Sequence, residues 1–185
     1  RSQTGIDVFA NSELAAISPR LAERARIEIV PTAESDAPGS MVEARGLVLH
    51  CAAAVLLPDG RRAALVGGIL LNRNLDFVDT INDLIYHGSG QPDGIKGTAT
   101  LFLDDIRVST NVRLFGDRRA IGTRVSEEVR SAVLDQGSVS RDRAFVVNDW
   151  YVSAYEPILD TNGRRVGMLY VGFAEAPFVR AKNET

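Results

Sequence analysis

The chain has 185 residues, of which 45% are hydrophobic and 24% charged, a balance that is ordinary for a globular protein. Its formal net charge is −3, with acids and bases mixed along the chain, which argues against nucleic acid as a partner. One cysteine, Cys51, excludes an internal disulfide and a zinc site built on thiolates. No apolar run reaches the roughly 18 residues that a membrane-spanning helix needs, so any anchors of the parent protein are expected outside this sequence.

The first 40 residues carry few structural signals. Residues 1–17 give only weak ones. Ser18-Pro19 predicts the start of a short helix, because serine caps a helix and proline suits its first turn. Ile27 and Ile29 alternate with charged residues, as in a half-buried strand. Residues 31–40 contain two prolines and a glycine and predict a loop.

A hairpin and a helix follow. Residues 42–57 and 63–71 predict two strands joined by a turn at Pro58-Asp59-Gly60. Asn74 is a suitable cap for the next helix, and Gly88 is a suitable end for it. The apolar residues at helical spacing are Phe77, Val78, Ile81, Leu84 and Ile85.

The second half of the chain predicts two strands, a helix and three more strands. The first pair, 98–103 and 106–112, turns at Asp104-Asp105. Ser126 followed by two glutamates predicts a helix start, and Gly137 an end. The apolar face of this helix consists of Val125, Val129, Ala132 and Val133. The last three strands are predicted at 144–147, 151–158 and 166–173, with a strong turn signal between the final two.

An offset of 103 residues aligns the hairpin at 48–69 with the hairpin at 151–172 without a gap. Gly60-Arg61-Arg62 then falls on Gly163-Arg164-Arg165. Short hairpins also resemble one another by chance, so duplication remains one of two readings. If duplication holds, the counterpart of residues 98–112 lies at or before residue 1. We then expect an earlier strand and a preceding helix in the parent protein, with the first module truncated here.

These elements indicate an α+β fold with an antiparallel five-stranded sheet flanked by helices. The regular strand–helix alternation of a doubly wound sheet is absent. A PAS-like sheet fits best, in two modules of which the first is partly truncated. The expected divisions are a partial module at 1–73, a helix and loop at 74–96, a complete module at 97–178 and a tail at 179–185.

Four stretches of the second module, taken together and in order, resemble the Cache domains of bacterial sensor kinases and chemoreceptors. They are GTATLFLDDIRVSTNVR at 97–113, GTRVSEEV at 122–129, RAFVVNDWYVSAYEPI at 143–158 and GRRVGMLYVGF at 163–173. The upstream stretch GGILLNRNLDFVDTI at 67–81 is similar to the helix that links two modules in double-Cache receptors.

This resemblance implies an extracytoplasmic, ligand-sensing part of an inner-membrane receptor, located in the periplasm between two transmembrane helices. Such domains bind small metabolites, often carboxylates, amines or amino acids, and full receptors of this kind form homodimers. They pass a helix displacement to a cytoplasmic kinase, methyl-accepting or cyclase domain. The tail at 179–185 would then approach the second membrane helix. Ligand residues differ widely within the family, so the resemblance does not name the ligand.

One group of candidate ligand residues is aromatic: Phe145, Trp150, Tyr151 and Tyr155. Tyr151, Ser153 and Tyr155 share one face of a strand by the two-residue period. If that face looks toward the helices, these side chains line a small pocket with apolar walls and a few fixed polar groups. The alternative is that the tyrosines fill the core, each with one hydrogen bond.

A second group of candidates is polar and cationic. Arg107 and Arg113 are suited to hold a carboxylate through paired N–H donors, with hydrogen bonds added by Thr110 and Asn111. Arg143 approaches from the next strand. The alternative is that these arginines are solvated on an edge or form salt bridges with nearby acids.

No pattern supports an enzyme. His50 and His87 are the only two histidines, and Gly-x-Ser-x-Gly and phosphate-loop motifs are absent. Asp104-Asp105 and Asp149 suit turns better than a metal site, and no cofactor is expected. In the first module, Arg45 and His50 are the comparable ligand candidates. The alternative function is an interaction or dimerisation module without a small ligand.

Overall fold

The computed structural model describes residues 2–31, 41–86, 97–114, 116, 118–146 and 149–174. These residues form a three-stranded and a five-stranded antiparallel sheet, with a small two-stranded ribbon and four helices. Within these ranges, no helix combines the length and the apolar character that a membrane span requires. The predicted α+β class is confirmed.

The three-stranded sheet and two short helices come from the first 70 residues. In chain order the elements are β1 (Ser2–Phe9), α1 (Asn11–Ile17), α2 (Pro19–Ala25), β2 (Ile27–Glu28), β3 (Val42–Glu43), β4 (Gly46–Leu56) and β5 (Arg62–Leu70). The sheet order is β1-β4-β5, and β2 pairs with β3. The structure therefore adds a strand and a helix at residues 2–17, a stretch that carries only weak sequence signals.

The strand predicted at 42–57 is interrupted, which corrects the prediction of a continuous strand. β3 ends at Glu43 and β4 begins at Gly46. Between them the Glu43 carboxylate accepts a hydrogen bond from the backbone N–H of Arg45 at 2.9 Å, and this local bond turns the chain. β3 can therefore pair with β2, while β4 pairs with β1 and β5.

The five-stranded sheet comes from residues 97–174. The helix α3 (Leu75–Tyr86) precedes it, and the elements that follow are β6 (Gly97–Leu103), β7 (Ile106–Thr110), α4 (Glu127–Arg130), β8 (Ser140–Val146), β9 (Asp149–Leu159) and β10 (Arg165–Ala174). The strand order is β7-β6-β10-β9-β8, and every neighbouring pair is antiparallel. The predicted strand–strand–helix–strand–strand–strand order is confirmed. The helix is only one turn of α-helix before it widens into a π-helical turn at Ser131–Asp135.

The two hairpins aligned by the sequence offset also have equivalent turns. β4 and β9 have the same length, and their bounds differ by 103 residues at both ends. The N–H of Leu57 donates to the Arg61 carbonyl, as the N–H of Asp160 donates to the Arg164 carbonyl. Gly60 and Gly163 both have φ near 80°, which favours glycine. The offset therefore describes two hairpins of one geometry, while a truncated first module and the double-Cache arrangement stay predictions.

Two faces of the five-stranded sheet pack into separate cores. All seven residues of β6 are buried. Ala99, Leu101 and Leu103 point to one face, which packs against α3 and the first sheet. We call this the outer face. Its partners include Ile27, Leu47 and other apolar residues of the first 71 positions, so the two sheets share one hydrophobic cluster.

Asn72 is a buried polar connection between the first sheet and the segment that leads into α3. Its side chain is fully buried, and its Oδ1 accepts from the N–H of Leu47 at 2.9 Å. Its Nδ2 donates to the carbonyls of Ala25 at 2.8 Å and Arg45 at 3.0 Å. Three segments distant in sequence are therefore joined by one amide.

Replacing Asn72 tests this connection. Asn72→Leu keeps the branched shape of the side chain but leaves one N–H and two carbonyls without their partner. We expect the free energy of unfolding to fall by about 3 kcal/mol, measured by urea denaturation. Asn162→Leu, at an exposed turn, is the control and should change it by less than about 0.5 kcal/mol. Equal small effects of both variants would contradict this role.

A chain of charges also joins the two sheets. Arg45 contacts Glu43 at 2.7 Å and Asp104, in the β6–β7 turn, at 2.7 Å. Burial by itself raises the pKa of Glu43, but the hydrogen bonds from Arg45 outweigh it and hold the pKa below its usual value of 4.5. The ionised form of Glu43 therefore stabilises the folded state.

This depressed pKa predicts a pH dependence. The stabilisation from Glu43 is complete above the unfolded-state pKa, and it disappears as the pH falls and the folded carboxylate takes up a proton. Glu43→Gln should therefore be less stable than the wild type at pH 7, and the difference should shrink toward pH 3, measured by denaturation at each pH. Glu156→Gln, on an exposed position of β9, is the control and should change the free energy of unfolding at pH 7 by less than about 0.5 kcal/mol. A Glu43→Gln difference that stays constant with pH would contradict the assignment.

Candidate functional site

The second face of the five-stranded sheet, which we call the inner face, carries polar side chains that are buried. It is covered by residues 112–135, through Val112, Ala120, Val125 and Val133. The inner-face residues are Thr98, Thr100, Phe102, Arg107, Thr110, Ser153, Tyr155, Met168 and Tyr170. Buried side chains are mostly apolar, so a guanidinium and several hydroxyls are unusual on a face that packs in the core.

Arg107 reaches the inner face because the β6–β7 ladder is irregular. The register shifts between Leu101 and Phe102, so Arg107 lies opposite Phe102. Its side chain is 4% exposed. Its guanidinium lies 5.0 Å from the centre of the Phe102 ring and donates to Thr123 Oγ1 at 2.7 Å. A buried cation thus lies between an aromatic ring and a hydroxyl.

Tyr170 and Thr98 form a hydroxyl pair on β10 and β6. Thr98 Oγ1 donates to the Gly172 carbonyl at 3.1 Å and lies 3.0 Å from the Tyr170 hydroxyl. Because threonine has one hydroxyl hydrogen, Tyr170 is the donor to Thr98. Burial raises the pKa of Tyr170, and the nearby Thr98, Ser153 and Arg107 oppose that rise. Tyr170 is therefore a neutral hydroxyl at ordinary pH.

Ser153 lies on β9 opposite Gly172 and is 4% exposed. Among the described residues, its Oγ has no hydrogen-bond partner of normal geometry, although it is close enough to Tyr170 to lower that pKa. Gly172 leaves the space that the Tyr170 hydroxyl occupies, since a Cβ there would be 2.5 Å from it. A buried hydroxyl without a well-formed bond is the kind of group that a ligand would satisfy.

The aromatic residues of β9 lie on two different faces of the strand. Tyr155 is buried, with its ring 4.9 Å from the ring of Tyr170, and Tyr151 packs at the margin of the same cluster. Trp150 is 47% exposed on the outer face, with the Arg143 guanidinium 5.1 Å from its ring. The side chain of Phe145 lies outside the described residues.

Thr110 and Asn111 hold β7 on β6. Thr110 Oγ1 lies 2.6 Å from Thr100 Oγ1 and accepts from the N–H of Val112 at 3.0 Å. Asn111 Oδ1 accepts from the N–H of Ala99 at 2.7 Å. Arg113 is exposed, one residue beyond Val112. The structure therefore brings together Arg107, Ser153 and Tyr155, with Tyr151 beside them, and places Arg113, Arg143 and Trp150 elsewhere.

The sequence reasoning missed Thr98, Phe102 and Tyr170. A signal was available in β6, where threonines at 98 and 100 alternate with Ala99 and Leu101. Such alternation predicts a polar face opposite an apolar one. Both faces of β6 are buried, so the polar face had to lie inside the protein.

A variant of Thr110 measures its structural role. Thr110→Val keeps the shape of the side chain but removes the hydroxyl that accepts a hydrogen bond from the N–H of Val112. We expect a loss of about 1–2 kcal/mol in the free energy of unfolding, measured by urea denaturation. Thr4→Val, on an exposed position of β1, should change it by less than about 0.5 kcal/mol. A Thr110→Val variant as stable as the wild type would contradict the role in holding β7.

Within the described parts of the chain, no three metal-binding side chains cluster together. No curated protein and no solved structure matches the chain. The sequence model of a family described as single Cache domain 3 matches residues 69–185, more than half of the chain. That range contains α3 and the whole five-stranded sheet. The chain therefore belongs to the single Cache domain 3 family, whose members are extracellular sensor modules of signalling receptors and not enzymes.

Proposed function

We propose that this domain binds a small carboxylate at the inner face of the five-stranded sheet and acts as the ligand input of a transmembrane receptor. The supporting observation is the position of Arg107, a buried cation between the ring of Phe102 and the hydroxyl of Thr123. An arginine fork matches a carboxylate in geometry and charge. The ligand class follows from that match.

The neighbouring groups suit the rest of such a ligand. Ser153 Oγ is a buried hydroxyl that can give or receive one hydrogen bond. The rings of Phe102 and Tyr155, 6.3 Å apart, offer apolar walls for a short carbon skeleton. A carboxylate with a small apolar or hydroxylated body, such as a hydroxy acid or an amino acid, meets both demands.

The receptor context follows from the family. We propose a periplasmic domain of an inner-membrane protein, flanked by transmembrane helices, which works as a homodimer and signals to a histidine kinase or chemotaxis output. α3 contacts β6 and β7. A ligand that moves Arg107 on β7 therefore acts on a strand that α3 touches, and this contact is a route for a helix displacement.

A thermal-shift screen tests the ligand proposal. A panel of small carboxylates and amino acids at millimolar concentration should contain a compound that raises the melting temperature, because a ligand stabilises the state it binds. Arg107→Gln should weaken binding of that compound at least tenfold in titration calorimetry, since a charge-assisted hydrogen bond is lost. Ser153→Ala should weaken it less.

Arg62→Gln is the matched control, because Arg62 is an exposed arginine on β5, in the other sheet. It should bind with the wild-type affinity. Arg143→Gln distinguishes Arg107 from Arg143, another of the three arginines proposed from the sequence: a loss of binding there, with binding by Arg107→Gln unaffected, would move the site to the edge of β8. If no compound of the panel shifts the melting temperature, the ligand proposal fails.

The second candidate function is an interaction or dimerisation module. It is favoured by exposed apolar side chains on the outer face of β9, where Trp150 is 47% and Val152 is 44% exposed. Sedimentation of the wild type and of Val152→Lys distinguishes the two. A dimer that Val152→Lys dissociates, together with an empty ligand screen, would favour this second function.

A further inference from the structure

A cavity lies on the first sheet, away from the inner face of the five-stranded sheet. Its volume is about 290 Å³, and it opens between the two N-terminal helices and the β4–β5 hairpin. Its walls are formed by Phe9, Leu14, Ile17, Leu21, Val48, His50, Val66, Gly67, Gly68 and Leu70. This size and apolar lining are those of a site for a small organic molecule.

The cavity forms because one face of the first sheet has large side chains at its ends and a glycine, which has no side chain, between them. Val48 and His50 of β4 lie opposite Leu70 and Gly68 of β5. Gly68 has no side chain, and a Cβ there would lie 3.3 Å from Val48 and His50. The helices cover only part of this face, so Ile17 and Val66 at the rim are 64% and 65% exposed.

His50 is the polar group of this cavity, and its hydrogen bonding defines what it offers. Its Nε2 lies 2.7 Å from Asp7 Oδ2. Burial raises the pKa of Asp7, but hydrogen bonds from His50 and Thr161 outweigh it and hold that pKa below its usual value, so Asp7 is ionised. An ionised carboxylate has no hydrogen to give, so Nε2 carries the hydrogen of this bond.

In a neutral imidazole with a hydrogen on Nε2, the other nitrogen is an acceptor. Among the described residues, Nδ1 of His50 has no hydrogen-bond partner. With the imidazole neutral, the cavity offers apolar walls and one acceptor. A molecule with an apolar body and one hydroxyl complements both, whereas a carboxylate would meet an acceptor and the negative charge of Asp7.

We propose that this cavity is a binding site for a small neutral apolar compound that carries one hydroxyl, of the alkylphenol or aliphatic alcohol class, with the hydroxyl donating to His50 Nδ1. This site is distinct from the proposed carboxylate site, and the proposal does not depend on the carboxylate function. Asp7 also accepts from the backbone N–H of Thr161 at 3.1 Å and from Thr161 Oγ1 at 2.9 Å, in the β9–β10 turn. Asp7 therefore connects His50, in the cavity wall, to the β9–β10 turn of the five-stranded sheet.

Titration calorimetry with 4-propylphenol as the probe tests the proposal on the whole 185-residue chain. Saturable binding with a dissociation constant below about 1 mM is expected. Propylbenzene, which lacks the hydroxyl, and 4-propylbenzoate, which is an anion, should each bind at least fivefold more weakly. Absence of saturable 4-propylphenol binding overturns the site, and equal affinity for all three compounds overturns the assignment of the hydroxyl to His50.

Two neighbouring positions on β5 provide a matched pair of variants. Val66→Trp places a large ring at the rim and should weaken 4-propylphenol binding at least tenfold. Leu65→Trp adds the same ring at a residue of equal exposure that does not line the cavity, and it should bind within twofold of the wild type. Equal affinities of the two variants would place the ligand elsewhere.

His50→Leu gives an independent measurement that does not depend on blocking the cavity. It should remove the preference for 4-propylphenol over propylbenzene while propylbenzene binding stays within twofold. A retained preference would overturn the role of His50. Arg107→Gln should leave 4-propylphenol binding unchanged, so this proposal and the carboxylate proposal fail or hold separately.

Discussion

The central constraint on this structure is that β6 is buried on both of its faces. A strand alternates its side chains, so β6 must satisfy two different environments with one sequence. Ala99, Leu101 and Leu103 serve the outer face, where α3 and the first sheet pack, and Thr98, Thr100 and Phe102 serve the inner face. A shift of one residue would exchange the two sets and place hydroxyls in the apolar cluster. This alternation sets the orientation of β6, and the register shift between Leu101 and Phe102 then places Arg107 on the inner face.

The buried polar side chains of the inner face cost free energy of folding, and their presence is therefore informative about function. Burying a guanidinium and hydroxyls costs free energy unless each group is well bonded. Thr98, Thr100 and Thr110 meet this demand with bonds inside the sheet. Ser153 meets it less well among the described residues. A domain selected only for stability would fill such positions with apolar side chains, so the polar inner face is consistent with a ligand site in a sensor domain.

The two sheets are coupled through three different contacts. The outer-face cluster is apolar and does not by itself fix an orientation, whereas the ion pair of Arg45 with Asp104 joins the two sheets at one defined point. Asp7 adds a third contact, from β1 to the β9–β10 turn. These contacts join the first sheet directly to the five-stranded sheet.

Much of the architecture was readable in the sequence, because local patterns are enough for it. Alternating strands, turn residues such as those at 160–163, and the 103-residue offset predicted the hairpins, their glycine turns and the α+β class. The elements at residues 2–17 were not predicted, because β1 is only half-buried and becomes a strand by pairing with β4.

The candidate site was predicted in part, because the two-residue period of a strand placed Tyr151, Ser153 and Tyr155 on one face. Which arginine joined them depended on the register shift at Leu101, and the cavity beside His50 depended on where two short helices pack. Strand periodicity is a local property of the chain, whereas register and packing are set by residues far apart in sequence, and only the tertiary structure decided those.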